Sequence, residues 1–243
     1  MPDPVSRRLF LALAGAALVA PPITFGNEEV PTLLDHILLG CSDLDRGVAF
    51  VEERTGVRAA FGGVHPGRGT RNALLSLGER RYLEVIAPDP KQDCDSVQPF
   101  AVRQLALLKS LTSPRLIAWA AHPGDIEAVA KKLRDADVAF QGPWPGSRTR
   151  PDGRVLNWKS ISLADDRHGL LPFFIEWSAD SLHPSADAPA GCRLEHFAVS
   201  SPDPDELSKT FQRIRIDAPV ERGEKAQLRA QINGPKGNFE VSP

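Results

Sequence analysis

Three ionisable side chains sit inside apolar runs. His36 lies between Leu34 and Leu38 in the run 33–39, Glu84 is flanked by Leu83 and Val85, and Glu176 by Ile175 and Trp177. Period-two alternation in an extended chain puts His36 on one face with Leu34 and Leu38. A carboxylate inside such a strand is costly to bury unless it is paired, hydrogen-bonded or bound to a metal. One imidazole and two carboxylates form a donor set that a divalent ion accepts. An ion so held acts as a Lewis acid on substrate oxygens, and Glu84 or Glu176 can double as general base. The same residues also suit a metal-free pocket that uses them for hydrogen bonds. Glu84 has Arg71 and Arg81 as alternative partners.

A second cluster is the stretch His65-Pro66-Gly67-Arg68-Gly69-Thr70-Arg71-Asn72. Glycine frees the backbone there, and His65, Arg68, Arg71 and Asn72 supply polar groups. Either arginine can hold a carboxylate or carbonyl through two N–H bonds, so these four are candidate substrate-binding residues. No GxxxxGK motif is present and no helix follows, so this is not a phosphate-binding loop and no nucleotide cofactor is expected. Trp119, Trp158 and Trp177 fall on predicted strands. Trp119 is a candidate pocket wall, although core packing competes for all three.

The elements that must position these groups repeat. Three segments (33–39, 115–121 and 193–199) are apolar strands followed by a Ser/Pro/Asp helix start and about ten residues of helical spacing. Three short strand-like runs follow each helix. A connecting helix is expected over 99–111, a polar lid over 147–152 and a linker from His183 to Gly191. The predicted unit is βαβββ, three times over. Such a unit curls its sheet around one outer helix and needs a second unit to close the other face, which leaves a cup.

The chain resembles the vicinal oxygen chelate superfamily, and within it the glyoxalase-like group. The resemblance is carried by Leu34-Asp35-His36-Ile37, by the stretch 63–78 with its HPGxGTxN core, by Tyr82 to Pro90 and by Pro172 to Trp177. It covers residues 33–178 and, more weakly, the third unit. It implies an α+β fold of repeated βαβββ units whose curled mixed sheets form a cup with helices outside. The implied organisation is a glyoxalase-like domain over 32–178 and a third unit over 191–243 packed on it.

In that superfamily the first and last strands of each unit offer metal ligands. The resemblance therefore implies His36, Glu84 and Glu176 as ligands of a divalent ion, with Zn, Fe, Mn and Ni all open. Unit two offers Ile117 or Ala118 where an imidazole would stand, with His122 four or five residues on. Unit three repeats the pattern with His196 and Glu240, which leaves a second ligand set of His36, Glu84, His196 and Glu240. The implied activity is lyase, isomerase or dioxygenase-type chemistry on a small molecule with adjacent oxygens. The competing class is a metal-free module that only binds such a molecule. A homodimer is compatible with either.

Composition narrows the partners. The chain has 243 residues, a formal net charge of −2 and 25% charged residues, without a long basic run. Nucleic acid is not an expected partner. Residues 1–26 read as a signal peptide: Ser6-Arg7-Arg8-Leu9-Phe10-Leu11 resembles the twin-arginine pattern, and the charge-free run 9–20 is too short to span a bilayer. Export by the twin-arginine machinery to the periplasm or beyond is expected. In an oxidising compartment Cys94 and Cys192 can pair and leave Cys41 free.

Overall fold

The structure is a computed structural model, and it describes residues 30–92, 97–150 and 152–241. The signal segment and Cys94 lie outside the described residues.

Unit one follows the expected βαβββ order. Strand β1 (Leu34–Gly40) leads to helix α1 (Leu44–Thr55), then β2 (Ala60–His65), β3 (Thr70–Ser76) and β4 (Tyr82–Pro88). Helix α2 (Val102–Ser110) connects to unit two: β5 (Arg115–Ala121), α3 (Ile126–Asp135), β6 (Phe140–Thr149), β7 (Val155–Leu163) and β8 (Phe173–Trp177). The third set is β9 (Arg193–Ser201), α4 (Pro204–Ile214), β10 (Val220–Arg222), β11 (Gln227–Gly234) and β12 (Gly237–Val241). An aspartate caps the helix of each unit. Asp43, Asp125 and Asp203 accept the N–H of Arg46, Ala128 and Glu206 at 2.9, 2.9 and 3.1 Å, which satisfies a donor that the first turn leaves open.

Units one and two form one eight-stranded mixed sheet of order β2-β3-β4-β1-β5-β8-β7-β6. Within each unit the first and last strands pair in parallel, and β1 meets β5 antiparallel at the centre. The sheet curls until its outer strands meet: a Cβ placed on Gly63 of β2 would lie 2.9 Å from the Thr149 carbonyl oxygen of β6. The expected lid over 147–152 is corrected here. Ser147, Arg148 and Thr149 end β6 and are paired with β7.

The third unit has the expected order of elements but a different sheet. Its strands run β10-β9-β11-β12, whereas in unit one the first strand stands at the end, beside the last. This small sheet packs against the convex face of the large one. Trp119 of β5 is fully buried there, 5.0 Å from the Phe197 ring of β9 and 6.2 Å from Phe211 of α4. Its Nε1–H donates to the Leu170 carbonyl at 2.8 Å. Removing a ring of this size from water contributes about 3 kcal/mol. The helices α1, α3 and α4 share that core. Helix α2 departs from the expectation of helices outside: Leu108 joins Leu38, Ile86, Leu111 and Ile117 in a separate cluster that fills one end of the concave face.

Candidate functional site

Beyond that cluster the concave face is polar. His36 and Leu38 share a pleat of β1, and β1 pairs in parallel with β4, so that His36 lies against Tyr82 and Leu38 against Glu84. The His36 ring stacks on Tyr82 at 4.4 Å and meets the edge of Phe173 at 5.4 Å. Its Nε2 lies 3.6 Å from Glu84 Oε2. On the other side His65 Nε2 lies 3.7 Å from Glu84 Oε1. Asn72 ties the two together, because its amide donates to Glu84 Oε1 at 2.7 Å and stands 3.2 Å from His65 Nε2. His65 Nδ1 is 2.9 Å from the Thr70 hydroxyl.

Charge is concentrated here behind very little exposed surface. Burial pushes the Glu84 carboxyl up, but His65, His36, the Asn72 amide and Arg148 outweigh it and hold the group below the usual carboxylate range. Burial pulls the His65 imidazole down to about 4 against the pull of Glu84, so His65 is neutral at pH 7. Burial, with Asp35 and Glu84, keeps the Tyr82 phenol protonated well beyond its ordinary range. Glu84 is therefore an anion held between two imidazoles, and its Oε2 faces His36 Nε2.

Asp35 completes the cluster from behind. The register between β1 and β5 shifts between Leu34 and His36, and this β-bulge turns both Asp35 and His36 to the concave side. Asp35 is fully buried. Its Oδ1 is 2.6 Å from His36 Nδ1, and its Oδ2 is 3.1 Å from both Trp177 Nε1 and His183 Nε2. Burial pushes this carboxyl up, and the hydrogen bonds from His183 and His36 overturn that and leave it well below the usual range. Two polar neighbours in an otherwise apolar run were the sequence signal for this bulge.

Arginines line the approach. Arg148 of β6 is buried, and its Nη1 donates to Asn72 Oδ1 at 3.0 Å across the seam between the outer strands. A Cβ on Gly62 would run into both that guanidinium and Asn72 Oδ1, so a larger residue there would displace this hydrogen bond. Arg68 lies over the Phe100 ring at 5.1 Å. Burial lowers its affinity for the proton and Glu84 raises it, which places Arg68 within reach of the same field. Arg71 alternates to the convex face, where its charge acts on the Cys41 thiol.

The fold and this geometry agree with a family match. A model of the glyoxalase-like domain matches residues 34–214. The chain belongs to the glyoxalase-like domain family. No match is found among curated proteins. Among solved structures, a hypothetical protein from Staphylococcus aureus is similar with a TM-score of 0.60 and 20% identity, over 86% of this chain and 87% of that one. A methylmalonyl-CoA epimerase from Streptomyces coelicolor in complex with 2-nitronate-propionyl-CoA is similar at 0.44 and 24%, over 63% and 99%. The corresponding epimerase from Mycobacterium tuberculosis is similar at 0.40 and 17%, over 64% and 92%. The similarity to the Staphylococcus aureus protein concerns the fold.

Against this glyoxalase-like frame, several expected site residues fall elsewhere. Glu176 is on the convex pleat of β8 with Phe174, and its Oε2 accepts the Ile126 N–H at 2.7 Å. Helix α3 begins there with an open donor, so the carboxylate caps a helix and does not meet His36 and Glu84. Trp119 is in the convex core and lines no part of the cup. The set with unit three is also not assembled. His196 is on the pleat of β9 opposite Phe197, with Nε2 3.3 Å from Glu221, and Glu240 pairs with Arg229 at 3.0 Å. Cys192 is a buried free thiol.

These placements decide the fit of a metal. Ala118 and Ile117 stand where β5 would offer an imidazole, and Glu176 is turned away. His36, His65 and Glu84 do approach one another, but the carboxylate itself lies between the imidazoles and engages each with a different oxygen. Among the described residues, no group of three or more His, Cys, Asp or Glu side chains is placed to hold a metal ion. The residues present do not fit the expected divalent site.

Proposed function

We propose that this glyoxalase-like protein binds a small organic molecule with adjacent oxygens in the cup of units one and two, and moves protons on it. One observation carries the reading: Glu84 Oε2 and His36 Nε2 face each other 3.6 Å apart in a buried site, where a carboxylate and an imidazole can each exchange a proton with a bound molecule. An α-hydroxycarbonyl compound offers two protons to such a pair. Glu84 takes the carbon-bound proton, and the electron pair of that C–H bond shifts towards the carbonyl oxygen. His36 takes the hydroxyl proton and delivers it to that oxygen, and Glu84 returns its proton to the former carbonyl carbon, which completes an isomerisation with no net gain or loss of protons. Arg68 holds a carboxylate or carbonyl oxygen of the same substrate. A positioned acid or base of this kind contributes about 10²–10⁴-fold in rate.

The test is solvent exchange. Purified protein is incubated in D2O with α-hydroxycarbonyl and α-hydroxy acid compounds, and loss of the carbon-bound proton is followed by 1H NMR. Exchange that falls about 100-fold or more in Glu84→Gln supports the reading. Saturable binding without exchange would replace it by a binding module, and neither binding nor exchange would overturn it.

We also propose export by the twin-arginine route, supported by the Ser6-Arg7-Arg8-Leu9-Phe10-Leu11 stretch. Replacing Arg7 and Arg8 together by Lys should leave the protein in the cytoplasm on cell fractionation. Unchanged export would overturn the route.

A further inference from the structure

The carboxylate of Asp35 is met by three ring nitrogens, those of His36, Trp177 and His183. An indole nitrogen can only donate, so Trp177 donates to Asp35, more closely to Oδ2 at 3.1 Å than to Oδ1 at 3.4 Å. His183 Nδ1 accepts the backbone N–H of Ser185 at 3.2 Å. That nitrogen is therefore unprotonated, and the proton of the His183 ring is on Nε2, directed at Asp35 Oδ2. The remaining oxygen, Oδ1, faces His36 Nδ1 at 2.6 Å. A carboxylate with no proton of its own needs a donor at that distance. The ring of His36 cannot turn to offer its other nitrogen, because Tyr82 stacks on its face and Phe173 closes its edge.

We propose that Asp35, anchored by His183 and Trp177, is a positioning residue that fixes His36 as its Nδ1–H tautomer and leaves Nε2 as an acceptor towards Glu84. The inference rests on the proposed proton transfer for its purpose, since only an unprotonated Nε2 can take a proton from substrate. Its geometry does not depend on that reaction. The β-bulge that turns Asp35 inward is what makes the arrangement local to residues 35 and 36, while the anchor comes from the far end of β8 and the segment after it.

The variant Asp35→Asn separates this from a packing role. Trp177 and His183 both donate at the Oδ2 position, so the amide oxygen must stay there. The amide NH2 is then left facing His36 Nδ1, which has to become an acceptor. The proton of the ring moves to Nε2 and points at Glu84. The shape of residue 35 is nearly unchanged, but the tautomer of its neighbour is reversed.

The experiment is long-range 1H–15N NMR of the full chain at a pH where the imidazoles are neutral. Wild-type protein should show His36 with a protonated Nδ1 and an unprotonated Nε2, and Asp35→Asn should show the reverse, with proton exchange on substrate reduced about 100-fold or more through kcat. An Nε2–H pattern in the wild-type protein overturns the assignment without any variant. An unchanged His36 pattern in folded Asp35→Asn overturns it as well. A reversed tautomer in a protein that turns over no substrate would uphold the assignment and sink the proposed reaction.

Discussion

Glu176 and Ile126 are joined by a 2.7 Å hydrogen bond from the backbone N–H at the start of α3 to the carboxylate of β8. An acid in the last strand of unit two is thus spent on a helix end. A carboxylate at this position gains both the bond to an open donor and the favourable end of the helix dipole. Glu176→Ala should lower unfolding free energy by about 1–2 kcal/mol in chemical denaturation. Proton exchange on substrate should be unchanged. A loss of exchange with full stability would return Glu176 to the site.

The two arginines of the stretch 65–72 should separate in the same way. Arg68 faces the cup above Phe100, and Arg71 faces the convex side. A charged hydrogen bond is worth about 1.5–3 kcal/mol, so Arg68→Ala should raise KM for a carboxylate-bearing substrate by roughly 10–100-fold. Arg71→Ala should leave KM as it is. Equal effects of the two would contradict the assignment of faces.

The hydrogen bond between Arg148 and Asn72 passes close over Gly62. Adding one methyl there drives the Arg148 guanidinium away from Asn72, and overpacking of this kind costs about 1–3 kcal/mol. Gly62→Ala should therefore lower the melting temperature and weaken ligand binding. In an Arg148→Ala background the same change should cost less, since its main obstacle is gone. Additive effects in a double-mutant cycle would show that the two do not share this contact.

Alkaline pH should act through Cys41. Burial pushes this thiol up to about 12, reinforced by Asp43. The unfolded chain releases the proton near 9, while the folded chain keeps it. Stability is then complete below about pH 9 and declines as pH rises towards 12, with a slope near 1.4 kcal/mol per pH unit for one proton. Denaturant titrations at pH 8 and 10.5 should show a steeper decline in wild-type protein than in Cys41→Ala, the remaining decline belonging to Tyr82 and Cys192, whose protons burial also holds. Slow reaction of Cys41 with a thiol reagent at pH 8, in a Cys94→Ser, Cys192→Ser background, checks the same burial.

What the sequence made legible follows the range of the forces involved. The apolar runs and the Asp43, Asp125 and Asp203 caps are local, and all three helices begin where those residues place them. His36 and Glu84 were legible for the same reason, since a charged group between apolar neighbours declares its cost. Glu176 was misplaced because a five-residue strand does not reveal its phase. Arg148 reads as part of a polar stretch, and only the pairing of β6 with β7 and the meeting of β6 with β2 carry it into the site. Asp35 depended on a one-residue shift, and His183 and Trp177 on contacts more than 140 residues away along the chain. The strand order of the third unit is likewise a choice among partners that no single strand encodes.

The contact between Trp119 and Phe197 bears on how this protein can be divided. Ending the chain after β8 would preserve every residue of the polar cluster up to Trp177 and still expose the aromatic seam that β9 and α4 cover. That seam is continuous with the strand carrying Ala118 and Ala120, so water reaching it would loosen the floor on which His36 stands. A piece that keeps this seam covered therefore runs from β1 to β12, and the C-terminal sheet is a buttress for the cup, although it supplies none of its polar groups.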